Sequence, residues 1–196
     1  MKGEPITSVN IGLQSMLLHL RQDPLALESV HLSLITFDRE ARRILPLTEL
    51  TTASIPYVDT PDSGPTHLGA ALELLCHVVD QEVVRTTPER KGDWMPLLFI
   101  MTDGSPSDIQ KFNEWIPEVK RRSFAFIVAC AAGPKAKDSF LKELTPHIVY
   151  LDTADSRTFQ KFFTWVSQTV NAGNRSVGAV APLTLPPPPS ELRVSR

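Results

Sequence analysis

The stretch Leu97-Leu98-Phe99-Ile100-Met101-Thr102-Asp103-Gly104-Ser105 limits what this chain can fold into more than any other. Its first part is uncharged and too short for a helix. An apolar run of that length, bounded by turn residues, reads as a strand buried on both faces. It stops on a carboxylate, a glycine and a hydroxyl. Open α/β sheets bind ligands just beyond the carboxyl ends of their strands, so Asp103 stands where such a fold places its chemistry. Gly104 is expected to let the backbone turn sharply there. Ser107 with Gln110 reads as a capping box that opens the next helix.

The flanking sequence supplies the other layers. Ile6, Val9, Leu13, Met16, Leu17 and Leu20 share one helical face, with Pro5 in the first turn and Asp23-Pro24 closing the helix. Residues 30–37 and 41–47 read as two strands. The three-residue turn Asp38-Arg39-Glu40 between them is too short for anything but an antiparallel pair. Residues 51–65 form a polar, proline-containing loop. Helices are expected over 67–84, 108–121, 136–144 and 158–170, and strands over 124–131 and 148–151. Strands alternating with helices give an α/β fold with a mostly parallel sheet covered on both faces and one antiparallel edge strand. Residues 1–171 read as the domain. Residues 172–196, which include Pro186-Pro187-Pro188-Pro189, read as a flexible Gly/Ser/Pro-rich tail.

Composition excludes several classes. With 196 residues, 42% apolar content and a net charge of −2, the chain is an ordinary globular domain without the basic bias of nucleic-acid binders. No apolar run reaches the ~18 residues of a membrane span, and no signal-peptide core opens the chain, so a cytoplasmic protein is expected. Cys76 and Cys130 read as core thiols without metal-ligand spacing. The five histidines form no ligand pair. There is no GxGxxG after a strand, no GxxxxGK[ST] and no GxSxG elbow, so no enzyme class with those motifs is expected.

Four segments carry a resemblance: Gly3-Glu4-Pro5-Ile6 leading into Val9-Asn10-Ile11-Gly12-Leu13, Leu34-Ile35-Thr36-Phe37-Asp38, Thr66-His67-Leu68-Gly69-Ala70-Ala71-Leu72, and Phe99-Ile100-Met101-Thr102-Asp103-Gly104. In this order and spacing they resemble von Willebrand factor A domains, and most closely the bacterial TerY-like group associated with tellurium-resistance and stress-response gene clusters. The resemblance implies a Rossmann-like sheet with a metal-ion-dependent adhesion site at its top. Thr66 and Asp103 match two of that site's three ligand loops. The third, an Asp-x-Ser-x-Ser loop with the first, central strand before it, has no counterpart here. Met1 falls where relatives have the residue just past that motif, and a start codon placed too late is the expected reason. Pro65, where relatives often have glycine, stiffens the loop before Thr66.

The resemblance therefore implies a non-enzymatic interaction module. A divalent cation such as Mg²⁺, bound weakly or not at all by this chain, would bridge to an acidic residue of a protein partner. A kinase or phosphatase of the same gene cluster is the expected kind of partner. Read as plain structure, Asp103 is a turn carboxylate and Thr66 an N-cap. Ser105 and Ser107 are then turn and cap hydroxyls, Asp108 a first-turn carboxylate and Asp155 a cap. The alternative function is a Mg²⁺-dependent hydrolase or phosphotransferase on a similar sheet, which would need Asp38 as its second acid.

Overall fold

The structure is a computed structural model that describes residues 1, 3–60, 64–133, 136–153, 155–175, 185–190 and 192–194. The chain enters through α1 (Glu4–Leu20), with Pro5 in its first turn as expected. A short α2 (Pro24–Ser29) follows. Asp23-Pro24 thus both ends one helix and starts the next: the Asp23 carboxylate accepts the Leu25 N–H at 3.0 Å. The order then runs β1 (His31–Phe37), β2 (Ala41–Glu49), α3 (Leu68–Glu82), β3 (Leu97–Thr102), α4 (Ile109–Arg121), β4 (Phe126–Ala132), α5 (Asp138–Leu144), β5 (Ile148–Leu151), α6 (Ser156–Arg175) and β6 (Arg193–Val194).

The strands form two sheets. β1 and β2 pair antiparallel, from His31 opposite Glu49 to Phe37 opposite Ala41, with irregularities around Leu34. β3, β4 and β5 pair in parallel, and β6 adds antiparallel to β5. The architecture is the expected mixed α/β one, with a parallel sheet, helices and an antiparallel edge pair. No hydrogen bonds join β1 to β3.

Two apolar layers sandwich these strands. In one, α1 and α6 cover Leu32 and Leu34 of β1, Phe99 and Met101 of β3, and Val128 and Cys130 of β4. In the other, α3, α4 and α5 cover Ile35 and Phe37, Leu98 and Ile100, and Ala129 and Ala131. Odd and even positions of β1, β3 and β4 point to opposite layers, as the pleat requires. Gly12 lets α1 and α6 meet, since a Cβ there would lie 2.2 Å from the Phe163 ring. The buried Asn10 side chain accepts the Val58 N–H and donates to the Val58 carbonyl, both at 2.7 Å, which fixes the loop after β2 against α1.

The C-terminal region differs from the expected tail over residues 172–196. α6 continues through Arg175. Further on, Leu192 is buried, the Trp165 indole donates to the Pro186 carbonyl at 3.0 Å, and Arg193–Val194 pairs with Val149 and Tyr150. The reason is tertiary: Leu192 and Leu185 join the α1–α6 layer, and the Arg193 guanidinium stacks 4.5 Å from the centre of the Tyr150 ring. The expected tail also spans residues 176–184, which lie outside the described residues.

Candidate functional site

Three loops meet at the carboxyl end of β3. The parallel register ends with Thr102 opposite Ala131, so Asp103 is the first residue beyond the sheet. The Thr102 hydroxyl accepts the Gly104 N–H at 3.3 Å and donates to the Gly104 carbonyl at 3.2 Å, which folds the loop back over the strand end. The Asp103 carboxylate is 46% exposed and ion-pairs with the Met1 ammonium at 2.7 Å. Gly104 is not in the left-handed conformation that a sharp glycine turn would use. Its requirement is space: a Cβ there would lie 3.1 Å from the Thr66 hydroxyl oxygen. That same approach places the Thr66 hydroxyl against the residue that follows Asp103.

Thr66 is held by its backbone. Its N–H donates to the Ser107 hydroxyl at 3.0 Å, and the Ser107 N–H donates to the Thr66 carbonyl at 2.8 Å. The expected capping box is therefore not formed. The N-cap of α4 is Asp108, without a side-chain cap bond of its own, and the Ser107 hydroxyl serves the neighbouring loop instead. Thr66 is not an N-cap either: that position in α3 is His67. The cap of α3 comes from across the site, where the Asp108 carboxylate accepts the Gly69 N–H at 3.1 Å and the Ala70 N–H at 2.8 Å. An anion there satisfies orphan donors and complements the positive end of the helix. Asp108 is thus a tie between two helix starts rather than a first-turn carboxylate of its own helix.

The third loop is the β1–β2 turn. The Asp38 carboxylate accepts the Glu40 N–H at 3.0 Å, and the Asp38 carbonyl accepts the His67 N–H at 2.8 Å. The His67 ring Nδ1 lies 2.7 Å from the Arg39 carbonyl oxygen, to which it donates. Asp38 is engaged in a local turn, an arrangement that suits structure better than acid chemistry. The remaining expected candidates sit apart: Asp155 accepts the Thr158 N–H at 2.8 Å at the start of α6, a cap as expected.

The arrangement offers one exposed carboxylate and one hydroxyl, on loops braced by Ser107, Asp108 and His67. Among the described residues, no group of three or more His, Cys, Asp or Glu side chains is placed to hold a metal. The two oxygens match Mg²⁺ in kind, since it prefers oxygen donors and keeps several waters. In number they make part of a coordination shell. Ser107 and Asp108 were not legible as site supports, because their partners lie about forty residues away and no local pattern encodes them.

Strongly biased charges lie elsewhere. Near the far end of α3, the Arg122 guanidinium hydrogen-bonds the Asp80 carboxylate and holds it below the usual carboxylate range. Arg121, then Arg122, does the same for Glu118. The buried Cys76 thiol is pushed up to about 11 by desolvation, and burial pushes the Cys130 thiol up as well. Both are core thiols, as expected. Among the described residues, no helix is long and apolar enough to cross a membrane.

Two solved structures of proximal thread matrix protein 1 from the mussel byssus are similar in fold. One matches with a TM-score of 0.58 at 11% identity, and a second crystal form with 0.57 at 13%. Each match covers 84% of this chain and 42% of that one, so the chain spans less than half the length of the mussel protein. Comparison with curated proteins returns no match. The family model of the von Willebrand factor type A domain matches residues 13–165, which include all three loops of the site. With that match over most of its length and this fold, the chain belongs to the von Willebrand factor type A domain family.

Proposed function

We propose that this chain is a cation-dependent protein-docking module whose contact point is the loop cluster at the carboxyl end of β3. Domains of this family are protein-interaction modules, often metal-dependent. One observation supports the reading further: the Thr66 hydroxyl lies against Gly104, the residue that follows Asp103 at the strand end, and the Asp103 carboxylate is exposed. In this reading Asp103 and Thr66 each give a divalent cation such as Mg²⁺ one oxygen, Ser107 and Asp108 keep the two loops in register, and a partner's carboxylate supplies a further ligand. Two donors leave the cation under-neutralised, so affinity in the absence of a partner is weak and an acidic ligand is favoured. The setting we infer is cytoplasmic, in bacterial tellurite-resistance or stress-response signalling, with a kinase or phosphatase of the same gene cluster as partner. The resemblance to the TerY-like group supports that setting.

Capture of immobilised Asp- and Glu-containing peptides tests this. Wild type should bind in Mg²⁺ and release in EDTA, and Asp103→Ala should not bind in either. Binding that ignores both EDTA and the Asp103 substitution would overturn the reading.

A further inference from the structure

We propose that the outer edge of β5 is a docking site for an extended apolar–Arg–apolar segment of a partner protein, which the chain's own residues 192–194 occupy as a tethered substitute. The inference does not depend on the cation site. It begins with β5 itself. Ile-Val-Tyr-Leu carries neither charge nor proline, and an edge strand of that kind is a template for pairing with another segment. One side of β5 is taken by β4. The other takes Arg193 opposite Tyr150 and Val194 opposite Val149, antiparallel. The edge therefore accepts an added strand, and the resident shows which chemistry it accepts.

Three seats read that chemistry. Leu192 is buried in the α1–α6 layer together with Val149 and Leu151, and Val194 packs against the same layer. Arg193, between them in sequence, meets Tyr150, which packs against the α3–α5 layer. That is the alternation a strand imposes. The guanidinium lies 4.5 Å from the centre of the Tyr150 ring, and its Nη2 donates to the Asp152 carboxylate at 3.3 Å. The ring is itself held: the Tyr150 hydroxyl donates to the Asp138 carboxylate at 2.6 Å, and Lys142 pairs with that carboxylate at 2.7 Å. A fixed aromatic face beside a carboxylate suits the planar guanidinium of arginine better than an ammonium. An acidic residue in the Leu192 seat would be buried without a partner and is rejected.

The resident is lightly held. β6 is two residues long. Beyond Leu192, the segment is held by the bond from the Trp165 indole to the Pro186 carbonyl and by the partly buried Leu185. Pro187, Pro188 and Arg193 are exposed. A segment with few buried contacts opens without unfolding the rest of the fold. Residues 176–184 link it to α6, so it competes with a partner as a tethered ligand does. In strand addition, main-chain pairing supplies affinity and alternate side chains supply choice.

Fluorescence anisotropy of a labelled peptide spanning residues 189–195, titrated with the full chain, tests this. Wild type should bind it weakly, because the resident competes. Leu192→Asp removes the resident's anchor and should bind the peptide about tenfold more tightly or better. Arg193→Glu, an exposed change that leaves the buried layer intact, should bind it about threefold more tightly or better. In the Leu192→Asp chain, a peptide of unrelated sequence that keeps the pattern, Gly-Ser-Ile-Arg-Ile-Ser-Gly, should bind within about threefold of the first. The same peptide with Asp in place of its first isoleucine should not bind. Bound peptide should slow hydrogen exchange in β5 and leave β2 unchanged. Equal affinity for all three chains, or binding that ignores the Asp change, would overturn the proposal. So would a wild-type chain that sediments as a dimer and exchanges residues 192–194 between copies, because the occupant would then be a second copy.

Discussion

Gly69→Ala separates local propensity from tertiary geometry. Gly69 sits in the first turn of α3, where a Cβ would lie 2.4 Å from the Phe112 backbone nitrogen and 2.7 Å from the Lys111 carbonyl carbon. Non-bonded heavy atoms rest at about 3.5–4.0 Å, so α3 and α4 must part by about 1 Å. Overpacking of this kind costs about 1–3 kcal/mol. The third contact, at 2.9 Å, is Asp108 Oδ2, the oxygen that accepts the Ala70 N–H. Disturbing that charge-assisted bond adds about 1 kcal/mol or more. Helix propensity works the other way, favouring alanine by about 1 kcal/mol. The net expectation is a loss of about 2 kcal/mol and a Tm lower by about 4–8 °C for a domain of this size. Denaturant and thermal unfolding read both. A variant as stable as wild type, or more so, would refute the reasoning, because propensity would then have outweighed the helix contact.

Asn10→Ala removes two bonds to Val58 and one to the Ile6 carbonyl. It should destabilise by about 2 kcal/mol and speed exchange of the Val58 amide; unchanged exchange would contradict the anchoring role. Leu192→Ala should cost about 2–4 kcal/mol, as a core truncation does, whereas a solvated tail would show no change in unfolding. Asp80 and Glu118 are held below the usual carboxylate range by arginine hydrogen bonds. Their stabilisation is full above the unfolded carboxylate values and is lost as pH falls through the lower folded ones. Arg122→Gln should flatten that acid-side decline in urea unfolding, and an unaltered slope would count against it.

Much of the fold was legible because it rests on period. β3 and β5 fall on their expected residues, since short apolar runs between turn signals admit one reading. α2 was not legible: Pro24–Ser29 is too short to show a period. The end of α6 and the β6 pairing were hidden for another reason. The polyproline run argues for extended chain, as observed, and only contacts made far away in sequence, such as Trp165 with Pro186, hold that chain against the domain. In the proposed site, Asp103 was marked by its strand-end position and Thr66 by the family resemblance. Their supports were not, because Ser107 looks like the cap of its own helix until the neighbouring loop is seen to use its hydroxyl. The same holds for Gly104, whose role is clearance for Thr66 rather than a turn.

Paramagnetic relaxation by Mn²⁺ reads the central claim directly, since it detects even weak occupancy of an oxygen-lined site. Titrated into ¹⁵N-labelled protein, Mn²⁺ should first broaden the amides of Thr66, Asp103 and Gly104. The effect should be displaced by excess Mg²⁺ and lost in Asp103→Ala. Broadening that starts elsewhere, or that persists at these residues in Asp103→Ala, would contradict the account.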